Sequence, residues 1–141
     1  VLACLKDYRR LGIWLEVTTL VIPGLNDSEA DLRGMAEFIA GELGRDVPWH
    51  VSAFHPTHKM LDRPPTPVES LLKARREGMR AGLDYVYIGN VAGTDGEDTI
   101  CPGCGGVVIR RQGFRLREVS LTGSRCRGCG HQLAGVGLGG S

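Results

Sequence analysis

The sequence predicts an α/β chain: the C-terminal part of a partial (β/α) barrel of the TIM type over residues 1–97, followed by a small β zinc ribbon over residues 98–141. Three observations carry this reading. Helical and extended patterns alternate through the first ninety residues, an order that demands parallel strands joined by crossover helices. Charge changes sign along the chain: residues 1–99 hold 11 Lys/Arg and 15 Asp/Glu, net −4, whereas residues 100–141 hold 6 Arg and one Glu, net +5. Behind that change, four of the five cysteines form two Cys-x-x-Cys-Gly knuckles.

The elements follow in order. Val1, Leu2, Leu5 and Tyr8 fall at helical spacing, and Gly12 ends that helix. Residues 13–22 form a β-rich run whose odd positions are nearly all apolar, while the even positions include Glu16 and Thr18. This pattern predicts a barrel strand buried on both faces, with the even face lining a site. Residues 23–27 read as a turn, and Ser28 with Asp31 as a helix-capping pair. Leu32, Met35, Ala36, Ile39, Ala40 and Leu43 mark one stripe of the second helix. Residues 49–54 form a second strand, and residues 55–65 a loop holding Pro56, Pro64 and Pro65. Thr66, Pro67 and Glu69 read as cap, first helical residue and back-bonding acid of a third helix, which runs through Leu71 and Met79 to Gly82. Residues 85–88 make a third strand, ending at Gly89 and Asn90.

Ligands in such sheets sit beyond the carboxyl ends of the strands, here the loops beginning at Pro23, His55 and Gly89. Three strands make half a barrel and leave an open edge. The chain also opens on Val1, inside a helical pattern and without an initiator Met. It is therefore read as the C-terminal part of a longer polypeptide, with the missing N-terminal half as its first partner. No apolar run approaches the ~20 residues needed to cross a bilayer, so no membrane association is expected. Clustered cysteines without a secretion signal point to a reducing, cytoplasmic setting. Residues 135–141 read as a frayed glycine-rich end.

Cys101, Cys104, Cys126 and Cys129 are the predicted metal ligands. Two residues between paired cysteines let both thiolates face one ion, and the glycine after each pair permits the turn that aims backbone amides at sulfur. A hairpin of residues 107–111 and 114–119, turning at Gln112 and Gly113, would bring the knuckles together. Four protein ligands and no open position describe a structural zinc, and so small a module needs such a staple. Rubredoxin-type iron and an auxiliary iron–sulfur cluster are the alternatives, since four thiolates accept either metal. A disulfide pair is the weaker reading. His131 reads as a surface residue rather than a substitute ligand, and Cys4 as a small buried apolar residue.

Beyond composition and spacing, several blocks resemble radical S-adenosylmethionine enzymes. They are LEVTTLVIPGLNDS at 15–28, WHVSAFHP at 49–56, Lys59-Met60, PPTP at 64–67, YVYIGN at 85–90 and the terminal knuckles. The chain is most similar to the radical enzyme of the AmmeMemoRadiSam system, a relative of the pyruvate formate-lyase activating enzymes, and the resemblance spans about residues 1–135. It implies a partial barrel that binds S-adenosylmethionine on a 4Fe-4S cluster and makes a 5′-deoxyadenosyl radical that abstracts hydrogen, with a protein substrate as one option. The family's Cys-x-x-x-Cys-x-x-Cys cluster motif is absent from this chain, so the fragment alone is expected to be inactive. The resemblance places Thr18 and Leu20 near the nucleoside, although the activases carry an arginine where this chain has Thr18. It also matches His55 to a histidine that reaches the cofactor. Glu16 is either a ligand-site carboxylate or the partner of an arginine in the missing half, and Asn90 either contacts ligand or caps a turn. His50 and His58 read as surface residues. No catalytic residue is assigned.

Two other functions compete. The ribbon's Arg110, Arg111, Arg115, Arg117, Arg125 and Arg127 could make it a binding module on a non-radical barrel, docking nucleic acid or a protein partner. Phe114 is the one aromatic there, which disfavours nucleic acid. A metal-dependent hydrolase or aldolase would want histidines, carboxylates or a lysine clustered at strand ends, where His55 alone qualifies.

Overall fold

The computed structural model describes residues 2–57, 59, 61–91, 95–113, 115–136 and 138. His58, Met60 and Phe114, named above, lie outside the described residues, as does most of the glycine-rich end. The chain divides into two units, Val1–Thr94 and Asp95–Ser141.

The first unit is mixed α/β. Helix α1 (Leu2–Arg10) precedes strand β1 (Val17–Val21), helix α2 (Glu29–Phe38) with a π-helical turn at Ile39–Leu43, strand β2 (Trp49–Ala53), helix α3 (Val68–Ala81) and strand β3 (Val86–Gly89). The strands form one sheet in the order β1-β2-β3, both pairs parallel. Helix α2 starts as its sequence implies: the Ser28 hydroxyl accepts the Asp31 N–H at 3.1 Å and donates to the Asp31 carboxylate at 2.7 Å. Helix α3 ends on Gly82 in the left-handed region, φ 96°.

Helices cover one face of this sheet. Val21, Trp49, Val51, Ala53, Val86 and Ile88 form a buried core with Leu32 and Ala36 of α2 and Leu71 and Ala74 of α3. Trp49 is fully buried, and its indole N–H donates to Thr19 Oγ1 at 3.0 Å, so its one polar atom is satisfied. Gly78 of α3 lies against it: a Cβ there would stand 2.8 Å from Val86 and 3.1 Å from the Trp49 ring. Beside it, buried Glu77 pairs with Arg33 of α2 at 3.2 Å, which gives that carboxylate the partner burial requires.

The opposite face is open, which corrects the expectation that β1 is buried on both sides. Within β1 the odd positions face the core, whereas Thr18 is exposed and Leu20 is 45% exposed. Cys4 is exposed on α1 rather than buried, because that helix buries no residue. Thr66 is not the α3 cap. Pro67 holds the cap position, and the Thr66 hydroxyl instead donates to Val21 O and accepts the Phe54 N–H at 2.7 Å.

The second unit begins with a 3-10 turn at Asp95–Glu97. It contains strands β4 (Thr99–Ile100), β5 (Val107–Gln112) and β6 (Arg115–Val119) in one antiparallel sheet, and β7 (Leu121–Thr122) with β8 (Arg125–Cys126) in another. The β5–β6 register shifts between Arg110 and Arg111, and buried Asp98 accepts the Arg111 N–H at 2.8 Å.

Candidate metal centre and sheet face

In the second unit the four cysteine sulfurs lie within 4.8 Å of one another. Cys101 and Cys129 Sγ are 3.6 Å apart, and Cys104 and Cys126 Sγ 3.8 Å. Four thiolates about 2.3 Å from one tetrahedral ion would sit about 3.8 Å from each other. A disulfide requires a sulfur separation near 2.05 Å. A cluster of several irons spreads its thiolates over separate metals. The four cysteines can therefore hold a single metal ion such as zinc.

Two equivalent turns build this centre. Cys101 N–H donates to Gly106 O at 2.8 Å and Gly105 N–H to Cys101 O at 2.8 Å. One knuckle later, Cys126 N–H donates to His131 O at 2.9 Å and Gly130 N–H to Cys126 O at 2.8 Å. Gly105 and Gly130 take φ 75° and 77°, a conformation costly for any side chain, which explains the glycine after each second cysteine. Backbone N–H groups of Cys129 and then Gly128 point at the Cys126 sulfur and lower its pKa to about 7. At Cys129 the His131 backbone bond acts downward, but burial and the neighbouring Cys101, Cys104 and Cys126 prevail and raise it to about 12. His131 is exposed; its Cβ packs over Gly103, where an added Cβ would lie 2.8 Å away. Among the described residues these four cysteines are the sole group suited to a metal.

In the first unit the structure joins two of the predicted strand-end residues. His55 Nε2 donates to Asn90 O at 3.0 Å, and Asn90 Nδ2 donates to Ala53 O at 2.9 Å. Asn90 thus ties the carboxyl end of β2 to that of β3, from a positive φ of 62°. At the end of β1, Asn26 does similar work: its amide donates to Leu20 O at 2.9 Å and accepts the Ile22 N–H at 2.7 Å. Arg63 Nη1 donates to Pro23 O at 2.8 Å, joining the two longest loops. Thr18 and Leu20 lie on the open face below these ends. Glu16 precedes β1 and bonds His50 rather than any strand-end group, with Oε2 2.6 Å from Nε2. His50, read from sequence as a plain surface residue, is therefore part of a cluster. The signal was present in the alternation of β2, where His50 and Ser52 are the polar positions between apolar ones.

The six ribbon arginines are largely engaged. Arg110 approaches Asp98 and Glu118, Arg111 bonds Glu97 O and Thr99, Arg117 bonds Gln112, Arg125 bonds Gly130 O and Arg127 bonds Leu121 O.

Over 135 residues the chain is 46% identical to the uncharacterized protein MJ0808 of Methanocaldococcus jannaschii. The match takes in 94% of this chain and 40% of that protein, so the chain spans less than half the length of its relative. No family model and no solved structure matches the chain. No helix among the described residues is long and apolar enough to cross a membrane.

Proposed function

We propose that the chain is the C-terminal part of a radical S-adenosylmethionine enzyme of the glycyl-radical-activase type, a partial barrel followed by a structural zinc ribbon. The observation that carries this reading is the joining of His55 to Asn90 at the carboxyl ends of β2 and β3, beside a sheet face left open by its helices. Both residues belong to the sequence blocks that resemble that superfamily. When bound, S-adenosylmethionine on a 4Fe-4S cluster would supply the 5′-deoxyadenosyl radical. This chain's part is to hold the cofactor, through His55, Asn90, Thr18 and Leu20, and to shield it with the strand-end loops. The cluster ligands belong to the remainder of the polypeptide, because four of the five cysteines form the ribbon centre and Cys4 stands alone in the first unit.

The binding-module alternative draws less support. Five of its six arginines already bond within the ribbon, and those bonds would compete with phosphate contacts. In the complete enzyme, His55→Ala should weaken S-adenosylmethionine binding roughly threefold to tenfold, as loss of one hydrogen bond implies. Its iron–sulfur cluster should still assemble. Unchanged affinity and unchanged reductive cleavage would remove His55 from the site.

A further inference from the structure

Away from the strand ends and from the open face of the sheet, the outward surface of α2 and α3 sets two helices of opposite charge side by side. From residue 29 to 43, α2 and its π-helical turn carry Glu29, Asp31, Glu37 and Glu42 against Arg33. Helix α3 carries Lys73, Arg75, Arg76 and Arg80 against Glu69 and Glu77. Arg33 and Glu77 neutralise each other across the two helices at 3.2 Å. Among the described residues, Glu37, Lys73, Arg75 and Arg76 have no ion-pair partner in the chain.

The relief of the two helices differs as their charge does. Helix α3 leaves Met79 53% and Val68 40% exposed. Helix α2 and its turn present Ala30, Gly34 and Gly41, four and seven residues apart on one side and all exposed. A Cβ at Gly34 or Gly41 would meet nothing within 4 Å, so no contact inside the chain excludes a side chain there. Propensity disfavours glycine in a helix interior. What it provides here is a low surface that a bulky side chain from outside can approach.

Both helices cross over between parallel strands, so they run in the same direction. The Arg33–Glu77 pair sets their heights: at equal rise per residue, Gly34 is level with Gly78 and Glu37 with Ala81, each one residue from Met79 and Arg80. A twofold axis lying in the outward surface, parallel to the helices, keeps those heights and lays each α3 on the other copy's α2. Met79 then enters over Gly34 of the partner subunit, and Arg80 meets the partner subunit's Glu37. Further strands joined at β1 or β3 would extend the sheet sideways and leave this surface free.

We propose that the outward surface of α2 and α3 is a homodimer interface, in which α3 of each copy docks on α2 of the other. No residue of this surface belongs to the proposed cofactor site, so the two proposals stand apart. Two short helices offer a small area, which makes the association weak, with a micromolar dissociation constant. Sedimentation equilibrium of the complete polypeptide tests it, and the wild type should dimerise reversibly. Gly34→Gln adds a side chain where the chain leaves room. It should leave the unfolding midpoint unchanged or raised while weakening the dimer about tenfold or more. Glu37→Arg should weaken the dimer by a similar factor, and adding Arg80→Glu to that variant should restore the wild-type constant. A monomeric wild type, a dimer indifferent to Gly34→Gln, or failure of Arg80→Glu to rescue Glu37→Arg would overturn the proposal and leave the surface to another partner.

Discussion

Thr66 shows how a single hydroxyl can serve two strands. It is buried, it donates to Val21 O at the end of β1, and it accepts the Phe54 N–H at the end of β2. From sequence, Thr66-Pro67-Val68-Glu69 has the form of a helix start, and local pattern favours the cap. The bond that wins spans 45 residues, which no local pattern can see. Thr66→Val keeps the shape and removes the hydroxyl, leaving a buried donor and acceptor without that partner. It should cost about 1–3 kcal/mol, read as a lowered urea midpoint with an unchanged slope. A midpoint equal to wild type would mean that the strand ends do not depend on this residue. Cys126 presents the opposite case, since its role was legible from spacing alone. Cys126→Ser should leave the purified chain without stoichiometric zinc and unfold the second unit, while the helical circular dichroism of the first persists. In the wild type, zinc should be lost as pH falls far enough for protons to compete with the metal for the four thiolates. Zinc retained by Cys126→Ser would contradict a four-thiolate centre.

Among the elements, α3 and its seat on the sheet are the most exacting. Gly78 lets the helix approach Trp49 and Val86 more closely than any side chain would permit. Alanine improves helix propensity by up to about 1 kcal/mol, but here its methyl meets two rigid neighbours, and overpacking of this kind costs about 1–3 kcal/mol. Gly78→Ala should therefore be net destabilising in chemical denaturation; a stabilised variant would show that α3 can shift outward without loss. The order of helices and parallel strands was readable from the sequence, because alternation and stripe are local signals. The burial of β1 was not. Its even face, expected to be buried while lining a site, carries Leu20 at 45% exposure because the sheet has helices on one side only. The His50–Glu16–Tyr87 group was missed for a related reason: strand register, not sequence spacing, brings residues 34 apart into contact. The knuckles needed no register, and their four sulfurs met as spacing implied.

For the whole molecule, the open features point the same way. β1 and β3 are both edges of a parallel sheet, Leu20 is 45% exposed on its bare face, and Leu11 and Ile13 beside β1 are 71% and 48% exposed. Parallel sheets are ordinarily covered on both faces. The match to MJ0808 takes in 40% of that protein, so the relative has further length that this chain does not span. These facts support the proposal that residues 1–97 complete a barrel with further strands; the radical chemistry proposed above requires in addition that cofactor ligands on this chain act with cluster ligands elsewhere. The most direct measurement is made on the complete polypeptide, purified without oxygen, reconstituted with iron and sulfide, and reduced in the presence of S-adenosylmethionine. The expected result is 5′-deoxyadenosine production by a protein holding about one zinc and about four irons, the stoichiometry of one Cys4 centre and one 4Fe-4S cluster. Zinc alone, with no iron taken up and no 5′-deoxyadenosine formed, would contradict it.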